Sequence, residues 1–271
     1  MSLKTFKALA YRELYLSKKK LKPLLIVFVV MSVLSVLAVL SFDYGNLGKL
    51  IEDALSFNPG VMEAEMQAEI TETIQKYKEI VVLATKIYPI LLSCFAVSSF
   101  LETCEVDEKG KWRYFYQSTP VTPAAKSAAT FGVVILMNAV SFIVAFLFCL
   151  IIGALSGIGV SYIDIALILT GIAVGDFVGA LLQIGIKLFH SLDKAGILLV
   201  SVALVGVFGY QIINNLVKGP VQQETADDVT EMLNVLSGFA DWAIIAAPIV
   251  IAASVVLGFT VNVLLYKRRE K

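Results

Sequence analysis

Polar side chains lie inside long apolar stretches of this sequence, and they are the residues whose types could do chemistry. Asp176 lies near the middle of the stretch 163–183, Gln183 ends that stretch, and Asn138 lies in the stretch 128–156. Polar groups are expensive in lipid, so such residues are candidates for a pathway or a contact between helices. Asp176 is the strongest candidate. The alternative is a carboxyl kept neutral, or paired with a neighbouring helix, without any further role.

Enzymatic chemistry finds little support in the sequence. The single histidine, His190, lies close to Asp193 on a predicted loop, where a solvated pair is the ordinary interpretation. There is no Ser-His-Asp set, no H-E-x-x-H zinc helix and no G-x-x-x-x-G-K-[ST] phosphate loop. We therefore expect no catalytic, cofactor or metal site on this chain. Lys86, inside another apolar stretch, is expected to snorkel to the outer interface.

Six apolar stretches must position these polar groups. Crossing a hydrocarbon core of about 30 Å takes roughly 20 helical residues. The stretches lack the period-2 alternation of barrel strands, so helices are the predicted spanning structure. The chain is therefore predicted to be an all-α, polytopic membrane protein with six transmembrane helices at 23–42, 80–101, 128–156, 163–183, 195–217 and 242–266.

The distribution of charge predicts the topology. The chain has 22 basic and 22 acidic side chains, so the net charge is uninformative, and hydrophobic residues make up 58%. Most lysines and arginines lie before residue 23, after the second and fourth stretches, and in the C-terminal tail. Cytoplasmic segments of membrane proteins carry an excess of lysine and arginine, so this distribution predicts that both termini lie in the cytoplasm. Nothing in the pattern indicates a nucleic-acid partner.

The N-terminal segment 1–22 is predicted to be a separate amphipathic helix. Leu3, Phe6 and Leu14 belong to an apolar series with spacings of three and four. Such a helix would lie in the interface of the lipid bilayer, with its basic side chains toward anionic headgroups. Pro23 suits the first turn of the first span. The outer segments 43–79 and 218–241 are predicted to form short helices over the ends of the spans, and solvated acidic loops without a role are the alternative.

Glycines indicate where helices approach closely. Gly171, Gly175 and Gly179 recur every four residues along one face of the fourth span. Such spacing allows helix backbones to approach closely, and we interpret it as packing within the subunit rather than as a dimer contact. Gly153 is predicted to allow close packing at the end of the third span, and Gly157 is predicted to form a turn.

The segment 102–127 is the most specific sequence in the chain. Trp112, Phe115 and Tyr116 fall at i, i+3 and i+4 and would form an aromatic ridge on a helix. Two Thr-Pro steps follow, and Thr122 is predicted to cap the third span with the next proline in its first turn. A short cytoplasmic helix of this kind suits docking to another protein. An interfacial aromatic belt is the alternative.

These residues resemble a known family. The string Asp107-Glu108-Lys109-Gly110-Lys111-Trp112, followed by Ser118-Thr119-Pro120-Val121-Thr122, resembles the first cytoplasmic loop of permeases of type-2 bacterial ABC exporters. Tyr11-Arg12-Glu13-Leu14 and the closing Tyr266-Lys267-Arg268-Arg269-Glu270 fit the same pattern. In span number and loop pattern the chain resembles short permeases of phenol-soluble-modulin-type peptide exporters.

The resemblance implies partners and a docking surface. In that family two six-span permease subunits, identical or related, form the pathway, and separate P-loop ATPase subunits carry ATP and Mg. It implies one permease domain over 1–271, with 102–127 as the coupling loop, in the bacterial cytoplasmic membrane. The implied coupling residues are Glu13, Glu102, Glu105, Asp107, Trp112, Arg113, Phe115 and Tyr116.

The cargo and the energy source stay open at this point. An amphipathic or hydrophobic peptide fits the resemblance, and a drug or lantibiotic fits it too. A gradient-driven carrier or a membrane scaffold without an ATPase partner is the alternative class.

Overall fold

The described part of the chain is helical, with no strand among its residues. The computed structural model describes residues 3–44, 82–87, 90–92, 121–191, 193–197, 200–201 and 228–269. The helices, numbered in chain order, are α1 Leu3–Tyr44, α2 Val82–Leu92, α3 Pro123–Ser156, α4 Tyr162–Phe189 and α5 Asp228–Arg269. Residues 193–197 and 200–201 are also helical.

Four segments of these helices are long and apolar enough to cross a membrane. They are Leu21–Leu40, Pro123–Ser156, Tyr162–Phe189 and Ser237–Leu265. They coincide with the first, third, fourth and sixth predicted spans, so the described residues confirm an all-helical fold with helices that have the length and composition of membrane spans. Most of the predicted spans 80–101 and 195–217 lies outside the described residues.

Two predicted helix boundaries are wrong. The N-terminal segment is not a separate helix, because α1 continues through Pro23 to Tyr44. In the same way α5 begins at Asp228 and runs unbroken across the predicted boundary at 241–242, so its first turns are not a distinct outer helix. A proline removes one backbone donor and one hydrogen bond from a helix. In α1 the helix has more than three turns on each side of Pro23, so the loss of that one hydrogen bond does not end it.

The start of α3 is confirmed as predicted. Thr122 is the N-cap in extended conformation, with φ −71° and ψ 148°, and Pro123 occupies the first turn. The Thr122 hydroxyl oxygen accepts a hydrogen bond from the Ala125 backbone N–H at 3.3 Å. This bond satisfies one of the donors that every helix leaves unpaired at its N-terminus.

Replacing Thr122 with alanine should lower the free energy of unfolding by about 1 kcal/mol, because that N–H then loses its acceptor. Thr122→Ser keeps the oxygen and is the matched control. Thermal unfolding of both variants in the same detergent measures the difference. An alanine variant as stable as the serine variant would contradict the capping role.

A tight turn joins α3 to α4. Gly157 and Gly159 both have left-handed backbone conformations, with φ of 72° and 79°. The Gly159 N–H donates to the Gly153 carbonyl oxygen at 3.2 Å, so the turn folds back onto α3. A Cβ on Gly153 would lie 2.5 Å from the Gly159 oxygen. The predicted packing step and turn are both confirmed.

The helices pack around α3 and α4. α4 packs along α5, while α3 contacts α1, α4 and α5. One apolar cluster joins Ile90 of α2 to Cys149 of α3 and to Ile168 and Ile172 of α4. Elsewhere, one face of α1 carries exposed apolar side chains such as Leu25, which is 66% exposed. An apolar surface of this kind suits lipid rather than water.

Candidate functional site

A hydrogen-bonded pair of buried polar side chains joins α3 to α4. Asn138 Nδ2 donates to Asp176 Oδ2 at 2.6 Å. The Asp176 side chain belongs to the buried set, with the residue only 4% exposed. The other oxygens of the pair, Asp176 Oδ1 and Asn138 Oδ1, are buried without a hydrogen-bond partner among the described residues. The structure thus brings together two of the residues singled out from the sequence.

A small recess adjoins this pair where α3, α4 and α5 meet. Asp176 and Ser254 supply its polar lining. Its apolar lining consists of Phe131, Val134, Ala180 and Val255. The recess has room for about one water molecule. Asp176 therefore both forms a helix–helix contact and supplies the acidic part of the lining of this recess.

Gln183 and the glycine series occupy other positions on α4. Gln183 lies two turns beyond Asp176, on the same side of the helix, and is 2% exposed. Gly171, Gly175 and Gly179 are all buried within the chain. Burial of all three is what packing inside the subunit requires of them.

A second buried polar contact joins α2 to the start of α4. Lys86 Nζ lies 2.8 Å from Asp164 Oδ2, with side-chain exposures of 3% and 0%. The same ammonium group donates to the Gly159 carbonyl oxygen at 3.3 Å. The prediction that Lys86 snorkels to the interface is therefore wrong. A carboxylate and a carbonyl inside the protein supply the partners that the headgroup region would otherwise provide.

Asp164 was not singled out from the sequence, although part of its role was visible there. The spacing Ser161-x-x-Asp164 is that of a capping box. In the structure the Asp164 N–H donates to the Ser161 hydroxyl oxygen at 3.4 Å, and the Ser161 N–H donates to Asp164 Oδ2 at 3.0 Å. The contact with Lys86, 78 positions away, has no signal in local spacing.

Of the predicted coupling residues only Glu13 lies in the described part of the chain. It is 4% exposed, and Arg12 Nη1 lies 3.2 Å from its Oε1. The N-terminal part of α1 contacts α3, since a Cβ on Gly132 would lie 2.9 Å from Cζ of Phe6. The remaining coupling candidates lie outside the described residues: Glu102, Glu105, Asp107, Trp112, Arg113, Phe115 and Tyr116.

His190 ends α4. It adopts a left-handed conformation with φ 55°, and its backbone N–H donates to the Ile186 carbonyl oxygen at 2.8 Å. Its side chain is exposed. Across the residues described, no group of three or more His, Cys, Asp or Glu side chains could hold a metal ion.

Long apolar helices with exposed apolar side chains and buried polar contacts define a helical membrane protein. Comparison of the chain with known protein families, with curated proteins and with solved structures finds no match.

Proposed function

We propose that this chain is the permease subunit of an ATP-driven exporter. It forms the translocation pathway for an amphipathic or hydrophobic peptide, and separate cytoplasmic ATPase subunits power it. The proposal rests first on the resemblance of the segment around Asp107–Trp112 to the cytoplasmic loop of type-2 ABC exporter permeases. Two permease subunits, identical or related, complete the pathway in a bacterial cytoplasmic membrane, with both termini in the cytoplasm.

The single structural observation that supports it most is the contact of Phe6 with Gly132. Gly132 lies within three turns of the start of α3, and α3 begins directly after the segment 102–120. The N-terminal part of α1 therefore joins the bundle at the end where that segment enters it. The resemblance assigns the ATPase contact to these two segments, and a shared docking surface needs them close together.

The exposure of the N-terminal residues refines this proposal. Glu13 is buried, so it suits holding α1 on the bundle better than meeting another protein. Tyr11 and Tyr15 are 70% and 63% exposed, and their rings stack with centroids 6.4 Å apart. Exposed aromatic side chains are common anchors in protein interfaces. In the docking surface, these tyrosines and the aromatic ridge of the coupling loop would be neighbours.

Disrupting the coupling loop should release the ATPase while leaving the permease in the membrane. We expect the double variant Trp112→Ala and Glu105→Lys to lose the co-purifying P-loop ATPase, because it removes an aromatic anchor and reverses a charge. Gentle affinity purification from native membranes with mass spectrometry measures the association, and transport of an amphipathic peptide measures the consequence.

A matched control exists on α5. Asp241 and Trp242 are both exposed, with Trp242 at 77%, and they lie in the first turns of the last span, at its predicted outer end. The pair Trp242→Ala and Asp241→Lys makes the same chemical changes away from the proposed docking surface, and should keep the ATPase. Wild-type transport and intact association in the loop variant, or no ATPase with the wild-type chain, would contradict the proposal.

A gradient-driven carrier is the second candidate, and one observation favours it. Asp176 is a buried carboxyl beside a water-sized recess, its described hydrogen-bond partner being an amide. Intramembrane acids of this kind occur in proton relays. Transport that persists without ATP, and stops when the ion gradient collapses, would support this candidate instead.

A further inference from the structure

The structure assigns opposite protonation states to the two buried carboxyls of α4. We infer that Asp164 is ionised and that Asp176 holds a proton, which makes Asp176 a proton-binding site between α3, α4 and α5. The inference goes beyond the proposed exporter and holds equally for a carrier.

Asp164 has two contacts that stabilise a negative charge, both on Oδ2, while its Oδ1 is buried without a hydrogen-bond partner among the described residues. The Lys86 ammonium lies 2.8 Å from its Oδ2, and the Ser161 N–H donates to the same oxygen at 3.0 Å. The Lys86 ammonium group is itself buried, so neutralising Asp164 would leave a positive charge inside the protein. An uncompensated buried charge is strongly destabilising, so the pair is stable as two opposite charges.

Asp176 has no charged partner among the described residues. Its described partner is the neutral amide of Asn138 at 2.6 Å, and it is almost as inaccessible as Asp164. A buried carboxylate without a compensating charge takes up a proton rather than stay ionised.

An unpaired carboxyl oxygen does not by itself distinguish the two sites, because Asp164 Oδ1 is unpaired as well; the unpaired amide oxygen of Asn138 does distinguish them. Asp176 Oδ1 and Asn138 Oδ1 are both acceptors, and neither finds a donor among the described residues. An ionised carboxylate only accepts, so it cannot satisfy the amide oxygen. A proton on Asp176 Oδ1 supplies the missing donor, and an acid and an amide can then close a ring of two hydrogen bonds. One proton thus accounts for both orphan oxygens.

Among the described residues around Asp176, none supplies a compensating charge. The residues facing it are neutral on all three helices: Phe131, Val134 and Asn138 on α3, Ala180 on α4, and Ser254 and Val255 on α5. The nearest titratable residues on these described helices are Lys126, Cys149, Asp164, Lys187, Asp241 and Tyr266. At 1.5 Å per residue, each lies about 16 Å or more along its own helix from the residue at this level, which is Asn138 on α3, Asp176 on α4 and Ser254 on α5.

The recess offers the proton an exchange partner. Asp176 and Ser254 both line it, and it has room for about one water molecule. A water there would accept from or donate to Asp176, whereas Asp164 makes its described contacts with the protein itself.

Chemical modification distinguishes the two states in the full-length protein. Dicyclohexylcarbodiimide is an apolar reagent that adds to protonated carboxyls, and peptide mass spectrometry locates the adduct. At pH 7.5, in native membranes, we expect the adduct on Asp176 and not on Asp164. The Lys86→Met variant, which removes the ammonium partner, should then acquire an adduct on Asp164 as well, showing that the reagent reaches that site.

Amide substitution provides a second measurement that does not depend on the reagent. Asparagine closely mimics a protonated aspartate, so Asp176→Asn should keep the wild-type melting temperature. Asp164→Asn should lower it clearly, because Lys86 loses its counter-charge. An unmodified Asp176 at pH 7.5, or an Asp176→Asn variant as unstable as Asp164→Asn, would overturn the inference.

Discussion

Replacing Lys86 with methionine should lower the free energy of unfolding by about 3–5 kcal/mol. Asp164 would stay fully buried but lose the ammonium group now 2.8 Å away. The start of α4 would lose stability with it, because the same carboxylate caps that helix. Thermal or denaturant unfolding of the purified protein in detergent measures the effect.

Lys22→Met is the matched control, since Lys22 is an exposed lysine of α1 and its removal should change stability little. Combining Lys86→Met with Asp164→Asn removes both charges and keeps an oxygen that can accept from Ser161. This double variant should recover much of the lost stability. A Lys86 variant as stable as the Lys22 variant would show that the ion pair contributes nothing.

Replacing Gly153 with alanine should destabilise the protein by about 2 kcal/mol. The new Cβ would lie 2.5 Å from the oxygen and 2.7 Å from the carbonyl carbon of Gly159, and backbone atoms cannot rotate away. Overpacking of this kind costs up to about 3 kcal/mol. The better helix propensity of alanine offsets roughly 1 kcal/mol of that.

Gly196→Ala is the control for this substitution. Gly196 lies in a helical segment, and a Cβ there meets nothing within 4 Å, so alanine should be neutral or slightly stabilising. Unfolding of both variants under the same conditions gives the comparison. Equal stabilities would mean that the α3–α4 turn moves freely.

The stability losses of Lys86→Met and Gly153→Ala should not add. Gly159 connects the two sites, because its carbonyl oxygen lies next to the position of a Gly153 Cβ and also accepts a hydrogen bond from Lys86. A shift of the turn in the alanine variant would already weaken the Lys86 contact. The combined variant should therefore lose less stability than the sum of the two losses, as expected for residues that share a partner.

Local signals in the sequence were enough for several features of the fold. The four described spans follow from runs of apolar residues, and Thr122 as N-cap follows from its own side chain and the proline after it. The turn at Gly157 follows from a residue that adopts positive φ without strain. In each case the cause lies within a few residues of the effect.

Helix continuity was harder to predict because it depends on length. Pro23 looked like a boundary, since a proline often starts a helix. In the structure α1 passes through it, and α5 passes through Pro248. The loss of one hydrogen bond is small beside the many bonds of a 42-residue helix.

The candidate site also has features that the sequence determined and features that it did not. The sequence by itself determined that the chain enters a membrane and that Asp176, Asn138 and Lys86 are polar groups in an apolar setting. Only the tertiary structure decided their partners: Asn138 for Asp176, and Asp164 for Lys86. The physical reason is that the transfer of a side chain into lipid depends on its own chemistry and immediate neighbours. The charge state of a buried group depends instead on atoms that folding brings within about 3 Å from distant parts of the chain.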